Sequence, residues 1–200
     1  MDSLRERKKA ATRQRIADVA TVLFLQRGFD NVTISEIAEA AEVSKVTIFN
    51  YFPRKEDIFF DRAPQAEQLL TAAIRDRTPD QSPLRALRRL LLDLAQQHHP
   101  LGGFRETYAH FWRTVQDSPA LRSRAREAVE ELEAHLAALL AAHSDDPHPR
   151  LTAALALAAY RSVYVTGMAR ILTGDDAAGV TRDHIAALDR AFDVLENGLR

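Results

Sequence analysis

The feature that most constrains this chain is a spacing. Apolar residues return three and four positions apart along nearly its whole length, and no window alternates with a period of two. Ile16, Val19, Ala20, Leu23 and Phe24 set the pattern, and Leu84, Leu87, Leu91 and Leu94 repeat it. This spacing lays one stripe of a helix on a core; a strand with the same sequence would have no consistent buried face. β-branched residues never cluster into a strand-like run. The expected fold is all-α.

Capping signals divide the helices. The first runs from about Leu4 to Arg27, with Gly28 as its stop. Thr33 with Glu36 three residues on is a capping box opening a short helix that turns Ile34, Ile37, Ala38 and Ala41 inward. Ser44 caps a third helix from Lys45 to Tyr51, with Val43 and Ile48 spaced as a hydrophobic staple, and Pro53 disfavours helix at Phe52. A helix from near Arg54 to about Arg77 is expected to kink or break at Pro64. Ser82-Pro83 and Ser118-Pro119 are start signals, the second opening a helix to about His143. Between them, after the loop at Pro100–Gly103, Phe104, Tyr108, Phe111 and Val115 share one helical face. Two last helices span roughly residues 150–172 and 182–197, with Thr181 capping the second.

Composition excludes several classes. At 200 residues, 46% hydrophobic and a net charge of −1, the chain can bury a real core and is not disordered. Without cysteine there is no disulfide framework, thiolate metal site or cysteine nucleophile. The N-terminal MDSLRERKK has no apolar run behind it, so no secretory signal is expected there. The best apolar stretch, Leu151 to Tyr160, ends at Arg161, too short to span a bilayer. The expected location is the cytoplasm. The charge is uneven: residues 1–15 carry a net +4 and the remaining 185 a net −5, and all four lysines lie within the first 55 positions.

The unit of a short helix, a tight turn and a second short helix is the arrangement of a helix-turn-helix DNA reader. With Val43 and Ile48 inward, Lys45, Thr47, Phe49, Asn50 and Tyr51 are left facing out. Hydroxyls and ammonium groups suit phosphate oxygens, Asn pairs with adenine in two-pronged fashion, and a threonine methyl meets the methyl of thymine. Without its flanking pattern, such a face would more often be ordinary solvent surface.

The stretch from Thr33 to Asp57, TISEIAEAAEVSKVTIFNYFPRKED, closely resembles the DNA-binding segment of the TetR family of bacterial repressors. The matching elements are the T-x-x-x-I-A start, the V-S-K-x-T core, the aromatic-x-Y-F ending and the K-E/D that follows. The resemblance implies an N-terminal helix-turn-helix domain over residues 1–53 and a larger helical domain over 54–200 for effector binding and dimerisation. It implies backbone-phosphate contacts from Thr33, Tyr51 and Lys55, and groove-facing roles for Lys45, Thr47, Phe49 and Asn50, with Ser35 from the preceding helix. Two departures stand out: Glu42 occupies a turn position that is usually Gly and favours positive φ, and Phe49 replaces the more usual Tyr.

The resemblance also implies two partners besides double-stranded DNA. One is a second copy of the chain, held through the two C-terminal helices. Leu151, Leu155, Ala158, Ser162, Val165, Ala169 and Leu172 form one apolar face; Ala154, Leu157, Tyr164, Met168 and Ile171 form another; Ile185, Leu188, Phe192, Leu195 and Leu199 give the last helix its stripe. The alternative is a helix buried inside one protomer. The other partner is a small-molecule effector, for which Phe59, Tyr108, Phe111, Trp112, Tyr160 and Tyr164 are the expected lining, with Phe60 beside them and His98, His99, His110 and Arg161 as polar points. Aromatics at helical spacing are more often plain core.

Rival classes fit less well. The seven histidines form no zinc-protease pattern with a glutamate, and there is no Gly-rich phosphate loop or nucleophile elbow, so neither an enzyme nor a metal or other cofactor is expected. A nonspecific architectural DNA binder would need a basic body, whereas residues 16–200 are net acidic. An effector-independent regulator of the same family remains an alternative.

Overall fold

In the computed structural model, which describes residues 4–198, the chain forms ten helices and, among the described residues, no strand. They are α1 (Leu4–Arg27), α2 (Ile34–Ala40), α3 (Lys45–Tyr51), α4 (Lys55–Phe59), α5 (Ala63–Arg75), α6 (Pro83–Gln96), α7 (Tyr108–Asp117), α8 (Pro119–His143), α9 (Pro149–Thr173) and α10 (Ala177–Gly198). The expected all-α class holds.

The chain divides into two compact units, one of Met1–Ala63 with Thr114–Arg124, the other of Pro64–Arg113 with Ala125–Arg200. The first therefore extends ten residues past the boundary expected at 53 and takes in the α7–α8 junction.

In the first unit, α1 packs on α2 and α4 through Ile16, Ala17, Ala20 and Phe24, all buried. Phe24, Phe29 and Phe59 form an aromatic triangle with ring centroids 5.0–5.9 Å apart, and Phe60 meets Phe59 edge-on at 5.4 Å. Full burial of one such side chain contributes about 1.5–3 kcal/mol, and edge and tilted ring contacts add to it. The α7–α8 junction is stitched to the same unit by the Ser118 hydroxyl, which donates to Asp30 Oδ1 at 2.9 Å, while Leu121 is fully buried.

In the second unit, Leu70 and Ile74 of α5, Leu87 and Leu91 of α6, Leu136 and Leu140 of α8, Ala153 and Ala156 of α9, and Leu188 and Phe192 of α10 share one core. Arg88 clamps α6 to α10 through Asp189, Asp193 and Glu196. A smaller core gathers Phe104, Ala109, Met168, Ile171, Ala177 and Val180.

Three expectations shift in detail. The break expected at Pro64 comes a few residues earlier: α4 ends at Phe59, and Pro64 sits in the first turn of α5, where a missing N–H costs nothing. The last helix starts at Ala177, a turn before the expected cap. Asp176 accepts the Gly179 N–H at 2.7 Å, so Thr181 lies inside the helix and is buried. Phe104 lies in the loop before α7, although its spacing to Tyr108 and Phe111 imitates a helical stripe. Leu199 lies outside the described residues.

Candidate nucleic-acid interface

The reader is built by caps. The Thr33 hydroxyl accepts the Glu36 N–H at 3.3 Å, and Glu36 Oε2 accepts the Thr33 N–H and hydroxyl, each at 2.8 Å. These donors, with Arg27 at 2.7 Å, hold the exposed Glu36 carboxyl down at about 2. α2 is capped at Ala41, and Glu42 then takes φ 53, so the Val43 N–H reaches back to the Ala38 carbonyl at 2.9 Å. The left-handed turn expected at Glu42 is thus present with a side chain that pays a steric penalty there. Ser44 caps α3, its Oγ accepting the Thr47 N–H at 3.0 Å, and Ile48 is fully buried beneath.

α3 consequently turns Lys45, Val46, Phe49 and Asn50 to solvent, with Val46 69% and Phe49 50% exposed. Two bulky apolar side chains left this open beside a lysine and an asparagine form a face that can press on base methyls while donating to base edges and phosphates. Thr47 and Tyr51 lie half-buried at its flanks, the Thr47 hydroxyl 2.8 Å from the Ser44 hydroxyl. Ser35 is exposed on α2, and Thr33 is exposed at its cap. Val46 joins this exposed face although an apolar residue next to an inward Ile48 reads as core from sequence; its place one turn before Phe49 and Asn50 is the available signal.

Lys55 is corrected. Its Nζ donates to the carbonyls of Phe29 (2.9 Å) and Val32 (3.0 Å) and sits 4.2 Å over the Phe29 ring. The turn after α1 leaves those carbonyls without helical partners, and the ammonium is drawn to them rather than outward. Arg13 plays a similar part, 4.5 Å over the Phe52 ring and donating to the Asp61 carbonyl at 2.9 Å.

The expected effector lining is only partly assembled. Phe59 and Phe60 belong to the aromatic core of the first unit. Phe111, Trp112, Tyr160 and Tyr164 come together in the second: Trp112 meets Phe111 at 5.1 Å and Tyr164 at 5.7 Å, and Tyr160 lies 5.6 Å from Tyr164. Burial pushes the Tyr160 phenol up and that of Tyr164 to about 12. Tyr108 donates to the His98 carbonyl at 3.0 Å, Tyr160 to the Leu101 carbonyl at 3.2 Å, and His99 lies within 3.5 Å of Gln65. His110 and Arg161 are exposed. Phe104 and His184, both buried here, were not expected. Among the described residues, no group of three or more His, Asp or Glu side chains could hold a metal ion, and no helix is long and apolar enough to cross a membrane.

On α9, the face of Leu151, Ala158, Ser162, Val165 and Ala169 is exposed, with Leu155 and Leu172 half-buried beside it. The opposite face, through Met168 and Ile171, is buried within the unit.

Comparison with known proteins agrees with this geometry. Residues 16–61 match the family described as bacterial regulatory proteins, tetR family. The chain is 30% identical over 168 residues to the transcriptional regulator TcmR of Streptomyces glaucescens, covering 80% of this chain and 74% of that one. It is 31% identical over 97 residues to RutR of Escherichia coli K12, 47% and 46% of the two chains. Among solved structures, NalD of Pseudomonas aeruginosa, a secondary repressor of a multidrug efflux pump, superposes with a TM-score of 0.56 at 21% identity, over 91% of this chain and 96% of that one. SmeT in complex with triclosan gives 0.57 at 16% identity, over 92% and 91%. The chain belongs to the tetR family of helix-turn-helix transcriptional regulators.

Proposed function

We propose that the protein is a homodimeric repressor that reads a palindromic operator through α3 and releases it when a small apolar or aromatic molecule occupies the second unit. The observation that carries this reading is the outward face of Lys45, Val46, Phe49 and Asn50 on a helix fixed by its own cap and staple. Asn50 and Lys45 address base edges and phosphates, Phe49 and Val46 pack on base methyls, and Thr33, Ser35, Thr47 and Tyr51 seat the unit on the backbone.

One reader covers too few base pairs to find a site in a genome. The exposed apolar face of α9 supports pairing with a second copy, which would set two readers about 34–36 Å apart on the duplex. The aromatic cluster of the second unit supports an effector, as does the triclosan bound in the solved SmeT complex. An effector must favour the DNA-incompetent arrangement, or it shifts nothing. The reading has no catalytic step and places the protein in the cytoplasm, on the nucleoid when bound.

Selection of bound fragments from the source genome with purified protein tests this. A short inverted repeat should emerge, occupied by a dimer, with affinity falling roughly 10³–10⁵-fold between about 50 and 200 mM salt if six to ten phosphates are contacted. Uniform coverage without a motif would sink the reading. A ligand panel in which no compound alters affinity would leave an effector-independent regulator.

A further inference from the structure

The α6–α7 connection folds one aromatic ring into the interior of the second unit. Phe104 is 2% exposed. Its ring stacks on Tyr164 at 5.1 Å and 26°, and meets His184 edge-on at 4.9 Å. On α9, Gly167 makes room for it, since a Cβ there would come within 2.6 Å of Phe104 Cζ. A planar ring thus lies against helix backbone between a phenol and an imidazole, and a loop, not a helix, delivers it.

His184 carries a need that this packing does not meet. It is 3% exposed, and apart from the Val163 carbonyl beside it neither ring nitrogen has a hydrogen-bond partner. The Val163 carbonyl is close enough to favour a protonated ring slightly, but burial dominates and pushes the imidazole down to about 4. A neutral imidazole offers one N–H and one lone pair, and buried polar groups of this kind are ordinarily satisfied. The Phe104 ring carries neither an N–H or O–H donor nor a lone pair for either nitrogen. A hydroxyl on an aromatic ring in the same place would donate to the lone pair or accept from the N–H.

We propose that the position occupied by the Phe104 ring is a binding site for a planar, uncharged aromatic molecule bearing a hydroxyl group, with Phe104 as its intramolecular stand-in and His184 as the hydrogen-bonding partner of that hydroxyl. The proposal rests on the reading that the second unit receives an effector. Charge is excluded because an ionised ligand would be desolvated among Tyr164, Trp112 and a neutral imidazole. The stand-in is carried on a loop and not on a helix. Its loop is pinned by the bond from His98 Nδ1 to the Phe104 carbonyl (2.9 Å) and by the Tyr108 and Tyr160 hydroxyls, and His98 itself sits at φ 49, in the left-handed region.

The test uses the full chain and two probes of matched shape, 1-naphthol and 1-methoxynaphthalene, with binding followed by calorimetry at neutral pH. Phe104→Ala removes the competitor and should tighten 1-naphthol binding by about tenfold or more, because the open state no longer has to be populated first. Should that variant fail to fold, Phe104→Leu carries the same arm with a smaller gain. In the Phe104→Ala chain, 1-naphthol should be preferred over its methyl ether by about tenfold, and adding His184→Phe should reduce that preference to near one. No tightening on removal of Phe104, or a preference indifferent to His184, overturns the proposal.

Operator release is measured in parallel and separates the two readings. A compound that releases DNA without dependence on Phe104 or His184 leaves the effector reading standing and removes this site. Binding of 1-naphthol with both dependences, and no compound of the class releasing DNA, upholds the site and removes the effector reading.

Discussion

Arg124 Nε donates to Asp57 Oδ1 at 2.7 Å, tying the beginning of α8 to the beginning of α4 within the unit that holds the reader. Asp57 is doubly engaged, because its Oδ2 accepts the Arg54 N–H at 3.1 Å and caps α4. The Arg124 side chain is 10% exposed and that of Asp57 16%, so solvent screens the pair little. Arg124→Leu should lower stability by about 3 kcal/mol, as loss of one partner leaves the other charge buried. Arg124→Leu with Asp57→Asn should recover part of that loss. A denaturant double-mutant cycle measures the coupling, and strict additivity would show that the pair contributes nothing as a pair.

Glu42 at φ 53 predicts a stabilising substitution. Glu42→Gly should raise stability by about 1 kcal/mol by relieving the left-handed conformation, and should strengthen DNA binding by removing a negative charge beside α3. Thermal melts and operator titrations of the same preparation check both effects. A lower melting temperature would mean that the Glu42 side chain contributes something the turn needs.

The inward turn of the Lys55 ammonium separates support from contact. Lys55→Met should cost about 1–3 kcal/mol of stability through the Phe29 and Val32 carbonyls left behind, and weaken all DNA sequences alike. The slope of log affinity against log salt should stay unchanged. A slope reduced by about one would place the ammonium on a phosphate after all.

His184 gives the fold an acid sensitivity with a defined window. Its pKa falls from 6.5 to about 4 on folding, so the neutral ring's contribution is complete above about pH 6.5 and is lost as pH drops toward 4. The titratable group facing it is Tyr164, at 6.0 Å ring to ring. The full loss is about 3 kcal/mol. His184→Phe should flatten that part of the stability–pH curve; an unchanged curve would assign the acid sensitivity to other groups.

The caps were legible because they are local. Thr33, Ser44, Ser82 and the Pro119 start depend on residues within three or four positions, and each opens the helix expected of it. What was not legible depends on tertiary partners. Phe104 has the spacing of a helical stripe, yet the backbone before it is held by His98 and His99, and Gly167, more than sixty residues away, makes its place. The inward hydrogen bonds of Lys55 were not legible because nothing nearby in sequence shows the carbonyls of Phe29 and Val32. Thr181 looked like a cap because Asp176, which does that work, lies a turn earlier.

The central claim is that the exposed face of α3 reads base sequence. Relative affinities of the wild-type chain and Asn50→Ala over every single-base variant of the selected operator test it most directly. Asn50→Ala should lose about 1–3 kcal/mol on the parent sequence and flatten discrimination at one symmetric pair of positions, leaving the others as they were. Equal weakening at every position, or no weakening, would contradict it.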